Sequence, residues 1–303
     1  MGLDVETFDV VIQSGFVQLW DTTPIPRPDA PDVAATCLTH QFLDASSALG
    51  LLLHWLNSTV SDTSLMEIFT LIPSTIHCYV CFALSLLLTT LHSMSAAKIQ
   101  WLLGEEFQKH NDLILKQHPL LQGAFGTMDR LNLPVQESHD TEIENATFNG
   151  WLHDYFVSSV FTFGASGEII ACNLNAPGSW HDSRVTQPIY EKLRTETLEG
   201  YYLITDTAFP HDTDQIHGCI HAPMKKGTRL PGNALERAEM LAFDRQLLSL
   251  RQAAEWGNHA LQGSFGRPYI PLQISYHDCR GDLLEICVCL YQLRTWLVGI
   301  NQI

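Results

Sequence analysis

Three carboxylates in this chain have the types and settings for shared chemistry. Asp129 closes a Gly-punctuated apolar run, GAFGTMD, and Asp206 closes a second one, YYLITD. Glu255 lies in LLSLRQAAEWGNHALQGSFG, a stretch with helical spacing. Two acids at the ends of neighbouring strands would stand about 5 Å apart, close enough to repel one another and raise a pKa unless a cation neutralises them. A divalent ion does this. Mg²⁺ takes oxygen ligands in octahedral geometry and keeps several waters, and two such ions about 4 Å apart clamp the attacking and leaving oxygens of a phosphodiester. A third carboxylate completes such a set, and Glu255 is the candidate. The structural alternative stands beside it: a strand-end acid is common, and Glu255 can pair with Arg251 one turn earlier, a contact worth roughly a few tenths of a kcal/mol at a surface.

The elements that must position these acids are legible from periodicity. After the first strand, residues 155–163 (YFVSSVFTF) alternate and are rich in β-branched and aromatic side chains, and the four-residue link Gly164-Ala165-Ser166-Gly167 joins them to EIIACNLN, which predicts a β-hairpin. APGSWHDSRVTQPIYEKL follows as a helix with Ser179 as its cap, then the strand ending in Asp206, then a long polar loop. A long helix is expected over about 234–261 and a last one over about 283–298. Three strands, helix, strand and helices predict an α/β fold with a ribonuclease-H-like mixed sheet flanked by helices, its first strand beside the fourth. A smaller all-α N-terminal region precedes it.

Residues 1–38 read as an arm or linker, because TPIPRPDAPD disfavours helix. Residues 39–115 read as a helical region with a helix-turn-helix-like skeleton, in which one helix stops near Ile72-Pro73 and Ser74 or Thr75 caps the next. That next helix, IHCYVCFALSLLL, offers base edges only His77 and apolar side chains, so packing is the simpler reading. Its Cys78 and Cys81 form a CxxC expected to be buried structurally, with no second pair at zinc spacing. Eight cysteines in a chain this large point to a reduced compartment, and no secretory signal or membrane span is expected. The formal charge of −16 argues against a grip on nucleic acid by the whole surface. Arg27 is the one Lys or Arg before Lys98, whereas Lys225, Lys226 and Arg229 fall in a later basic segment, where phosphate contacts are expected.

The stretches GAFGTMDRLNLPVQ, NGWLHDYFVSSVFTF, LNAPGSWHDSRV, YYLITDTAFP and EWGNHALQGSFGR resemble the nuclease domain of Harbinger/PIF-type transposases and the host proteins derived from them, a DDE-superfamily endonuclease group common in fungal genomes. The resemblance covers roughly residues 120–300 and implies an endonuclease domain over 120–303. It implies a D-D-E triad of Asp129, Asp206 and Glu255 binding Mg²⁺ or Mn²⁺, hydrolysis or strand transfer at DNA phosphodiesters, nuclear localisation, and a Myb/SANT-like partner that supplies DNA contacts, with a homodimer as an option. Asp182 and His181 in GSWHDSR, with Arg184 close by to orient the acid, are expected to support the triad rather than join it. His153 in WLHDYF reads as a structural histidine. The family's first motif usually has Gly after the acid. Here Arg130 follows Asp129, and its side chain would either compete for the carboxylate or point away toward a phosphate. The alternative function is a catalytically silent domesticated protein acting as a DNA- or protein-binding scaffold.

Overall fold

The computed structural model describes residues 3–26, 42–59, 61–209, 216–274 and 277–299. Most of the proline-rich linker, with Arg27 and Cys37, lies outside them, as does part of the polar loop after Asp206. The chain divides into two compact units. One holds residues up to Lys98 together with Leu261–Val298, and the other is built on Ile99–Ala260.

The first unit is helical. Asp4 caps α1 (Val5–Val11) by accepting the Thr7 amide at 2.8 Å, and a single π turn (Ile12–Phe16) relaxes at Gly15, φ 115°, before α2 (Val17–Thr22). The stretch expected to be an arm is therefore helical. The reason lies in VVIQSGFVQLW itself: Val11, Phe16 and Trp20 fall on one face and are fully buried, and the Trp20 indole donates to the Leu43 carbonyl at 3.1 Å. Asp44 caps α3 (Ala45–Asn57), Ser61 caps α4 (Asp62–Phe69), and Thr70 turns the chain in the left-handed region. Next comes α5 (Pro73–Ser93), whose N-cap is Ile72 with no side-chain bond. The expected caps, Ser74 and Thr75, sit inside its first turn, because Pro73 needs no amide partner there and presets φ.

At 21 residues α5 is longer than the apolar run suggested, and it is long and apolar enough to cross a membrane by length and composition. Half of that apolar window is buried within the fold, through residues such as Ile76, Phe82, Leu86 and Leu87. The CxxC differs from expectation: Cys78 is half-buried, and Cys81 is exposed beside the His77 ring at 3.7 Å. The last helix, His277–Val298, starts earlier than its pattern predicted and also belongs to this unit.

The second unit begins with α6 (Glu106–Leu115), packed under the central strand β1 (Ala124–Pro134). A short helix, α7 (Thr141–Thr147), and a two-residue strand, β2 (Phe148–Asn149), lead into the hairpin β3 (Asp154–Gly164) and β4 (Ile169–Pro177). The hairpin forms where its link predicted. Two helices follow, α8 (Asp182–Val185) and α9 (Gln187–Thr195), then β5 (Tyr202–Ile204), β6 (Ile220–His221) and the long α10 (Ala234–Ser264). Ser179 does not cap α8. His181 does, its ring accepting from the Ser183 amide, while the Ser179 amide is spent on the Ala146 carbonyl.

The sheet is mixed, with β1 antiparallel to β3 and parallel to β5, β4 outside β3 and β6 parallel to β5. Alternation along β1, shifted once by an irregularity between Ala124 and Gly126, gives it two faces. Phe125 and Met128 lie in a core with Val160, Val185, Ile189 and Leu193 on the α8–α9 side. On the other side Ala124, Tyr202 and Ile204 pack on Leu247, Leu250 and Ala253 of α10. Two glycines set these spacings. A Cβ on Gly123, at φ 93°, would fall 2.2 Å from the Gly200 carbonyl, so the entry to β1 needs glycine. A Cβ on Gly257 would fall 2.6 Å from the ring of the fully buried Phe163, so α10 can approach the sheet only without a side chain there.

Candidate active site

The parallel pairing of β1 with β5 sets Thr127 against Ile204. Two residues further along each strand come Asp129 and Asp206, so the register brings the two acids to the same end of adjacent strands. Asp129 is odd-numbered with Thr127 and faces α10. There the Asn258 amide donates to its Oδ2 at 3.0 Å, while its Oδ1 accepts the Arg130 amide at 2.8 Å.

Glu255 and Asn258 lie one turn apart on α10, and Arg251 lies one turn before Glu255. The spacing of three to four residues puts all three on one stripe of the helix. The expected pairing of Arg251 with Glu255 is present, Nη2 to Oε1 at 2.7 Å. The same guanidinium also reaches Asp206, Nη1 to Oδ2 at 2.9 Å. The structure thus brings Asp129, Asp206 and Glu255 together on one face of the sheet, with Arg251 between the last two. Asp206 is further held by the amide and hydroxyl of Thr207 through Oδ1.

Burial pushes the Asp129 carboxyl up to about 6, and Glu255 and Asp206 push it the same way. The Arg130 amide and the Arg251 charge pull against them.

Arg130 takes the other face. Its Nε donates to Asn132 Oδ1 at 2.9 Å and to Ser158 Oγ at 3.1 Å, and its Nη1 forms an ion pair with Asp182. It does not compete for the Asp129 carboxylate. Asp182 is oriented by Arg130 across the sheet, not by Arg184, whose guanidinium lies over the Trp180 ring at 3.7 Å. Asp182, His181 and Arg184 therefore belong to the α8 side of the sheet, with His181 serving as the helix cap. His153 sits in a tight turn at φ 55°, its amide bonded to the Asn149 carbonyl. Lys225, Lys226 and Arg229 are exposed between β6 and α10, on a turn closed by the Thr228 amide and hydroxyl on the Lys225 carbonyl. They are not among the groups bonded to the three acids.

One residue of the site, Asn258, was not legible in the sequence, and a second, Arg251, was legible only in part. Asn258 was signalled only by its place three residues after Glu255. Arg251 was seen as a partner of Glu255, but its second bond depends on where β5 ends against α10, which no local pattern gives.

Residues 128–292, more than half of the chain, match the family of DDE superfamily endonucleases. No curated protein and no solved structure matches the chain. The chain belongs to the DDE superfamily endonucleases.

Nuclease domains of this family generally use divalent metals. The donor types here suit such an ion, since all three acids offer hard oxygen ligands. Asn258 Oδ1, buried beside Asp129 without a hydrogen-bond partner, is a further oxygen of the type such an ion takes. The disposition is a different matter. Among the described residues no group of three or more His, Cys, Asp or Glu stands arranged to hold a metal ion, and Arg251 holds oxygens of two of the three acids.

Proposed function

We propose that the chain is a divalent-metal-dependent DNA nuclease derived from a Harbinger/PIF-type transposase, with Asp129, Asp206 and Glu255 as its D-D-E set. The observation that carries this reading is the meeting of those three acids on the α10 face of one sheet in a chain of this endonuclease family. The strand order, β4-β3-β1-β5-β6 with the first three antiparallel and the last two parallel to β1, supports a ribonuclease-H-like sheet.

Mg²⁺ or Mn²⁺ held by the triad would supply an activated water and charge stabilisation at a phosphodiester. The chain's own contribution is positional. The Arg130 amide and Asn258 fix the Asp129 carboxyl, Thr207 fixes one oxygen of Asp206, and Gly257 lets α10 bring Glu255 to the sheet. Lys225, Lys226 and Arg229 are proposed to meet backbone phosphates. The acidic surface calls for help in holding DNA, which a Myb/SANT-like partner in the nucleus would give, either to one copy or to a homodimer. No step requires a membrane.

Nicking of supercoiled plasmid by the purified protein with Mg²⁺ or Mn²⁺ tests the reading. Activity is expected in the wild type and absent in Asp206→Ala; nicking that survives this substitution refutes the assignment. A second reading, a silent scaffold, is favoured by one feature, the bonds of Arg251 to Asp206 and Glu255. It predicts no nicking and no metal uptake by a folded protein.

A further inference from the structure

We infer that Arg251 is an exchangeable internal counter-ion of the acid cluster, a positioning residue that holds Asp206 and Glu255 together when no metal is bound and must release them for a divalent ion to enter. The inference rests on the metal-site reading of the three acids. It is carried by geometry: one guanidinium spans two acids from different elements, at 2.9 and 2.7 Å, and so occupies oxygens that a shared ion would need. A fork of donors matched to carboxylates makes arginine suited to this task.

Three details mark the contact as replaceable rather than architectural. Arg251 Nε is buried without a partner, so the present pose leaves one of its donors unsatisfied. The two acids are 44% and 45% exposed, so water can take over their oxygens as the guanidinium leaves. Arg251 itself is 27% exposed, so part of its side chain already meets water. The Asn258 amide has an idle Oδ1 beside Asp129. Turning that amide over would present an oxygen to the cluster when a cation arrives.

The linkage is reciprocal: whatever free energy the arginine gains by bridging the acids, an incoming ion must overcome, so deleting the bridge raises metal affinity. Mn²⁺ titrated calorimetrically into the full chain measures this in wild type, Arg251→Gln and Arg251→Lys, with thermal melts of each protein with and without Mn²⁺. Arg251→Gln is expected to bind Mn²⁺ at least about fivefold more tightly and to gain more in Tm on adding Mn²⁺ than the wild type does. Arg251→Lys, whose point charge cannot fork onto both acids, is expected to fall between them. Equal or weaker binding by both variants, each melting cooperatively, overturns the inference while leaving the metal site standing. If no protein in the series binds Mn²⁺, the metal reading of the triad fails, and the exchange role fails with it. Should Arg251→Gln not fold, Arg251→Lys alone decides: tighter binding than wild type supports the exchange, and unchanged binding refutes it.

Discussion

Arginine–carboxylate contacts stand on both faces of the sheet, Arg130 with Asp182 on one and Arg251 with Asp206 and Glu255 on the other, and they are built differently. Arg130 and Asp182, on the α8 side, are 15% and 17% exposed, and the guanidinium spends Nε on Asn132 and Ser158 and Nη1 on Asp182. Arg251, on the α10 side, serves two acids that are nearly half exposed and leaves Nε without a partner. The first arrangement has paid desolvation for both charges and satisfied them, which makes it costly to break. The second keeps its charges near water, where an ion pair is worth little and a competing cation can displace it. The difference separates a contact that holds α8 to the sheet from one that bridges two partly solvated acids.

The largest effect should follow from opening the first contact. Asp182→Ala leaves Arg130 buried against Ser158 and Asn132 without its anion, and a loss of about 3 kcal/mol is expected, read by urea denaturation. Adding Arg130→Met to it should recover much of the loss, since a pair replaced by apolar atoms of similar volume is often close to neutral. Metal affinity should hold steady in the double variant, because this face is turned away from Asp129. If the double variant lost Mn²⁺ binding while folded, the separation of the two faces would be wrong.

Next in size is Gly257→Ala. The new methyl would meet the Phe163 ring at 2.6 Å inside a full core, and overpacking of this kind costs roughly 1–3 kcal/mol. Glu255 lies two residues away on the same helix, so lifting α10 should also weaken Mn²⁺ binding. Gly263→Ala, which meets open space, is the matched control, and its metal affinity should stay at the wild-type level.

A carboxylate buried with no arginine sharpens the contrast further. Glu168 accepts from His110 Nε2 at 3.1 Å, the tautomer being set by the Ala165 amide donating to His110 Nδ1. Burial pushes the Glu168 carboxyl up to about 7 and pushes the His110 imidazole down. Because the folded state binds the Glu168 proton more tightly than the unfolded chain, that stabilisation is complete below about 4.5 and is lost as pH rises through about 7. Glu168→Gln keeps an acceptor for His110 and removes the titration. It should match the wild type near pH 5 and exceed it at pH 8 by up to roughly 2 kcal/mol, as chemical denaturation at several pH values would show. Burial pushes the His110 imidazole down in the same way in both proteins, so the difference between them reports on Glu168. A constant difference across the range would refute the assignment.

The sequence made one side of this picture readable and hid the other. Asp129 and Asp206 stood out because each ends an apolar run, and the parallel register then had little freedom about where to put them. Glu255 was found by its place on a long helix after the second acid. What stayed hidden were the tertiary choices. Arg130 follows Asp129 in sequence, yet strand alternation sends it to the opposite face, where Asp182 is 52 residues away. Arg251 looked like an i,i+4 partner, and its second bond appears only once α10 lies across the end of β5. The N-terminal helices were missed because the prolines that follow them dominated the reading of the segment, while Val11, Phe16 and Trp20 found their burial against helices far along the chain.

The smallest expected change is the stability of Arg251→Gln, and it bears most directly on the contrast. If the bridge to Asp206 and Glu255 were a structural pair like Arg130 with Asp182, removing it would cost several kcal/mol. Its acids are solvated, so a change within about 1 kcal/mol is expected in metal-free protein, with an unaltered denaturant slope. Its sign is informative. Arg251 pulls the Asp129 carboxyl down while Glu255 and Asp206 push it up, so without the arginine three acids face one another with only the Arg130 amide and Asn258 to hold the buried one. A small destabilisation that Mn²⁺ more than reverses is what a displaceable counter-ion predicts. A loss as large as that of Asp182→Ala would instead make the contacts on the two faces of the sheet alike, and would identify Arg251 as part of the fold.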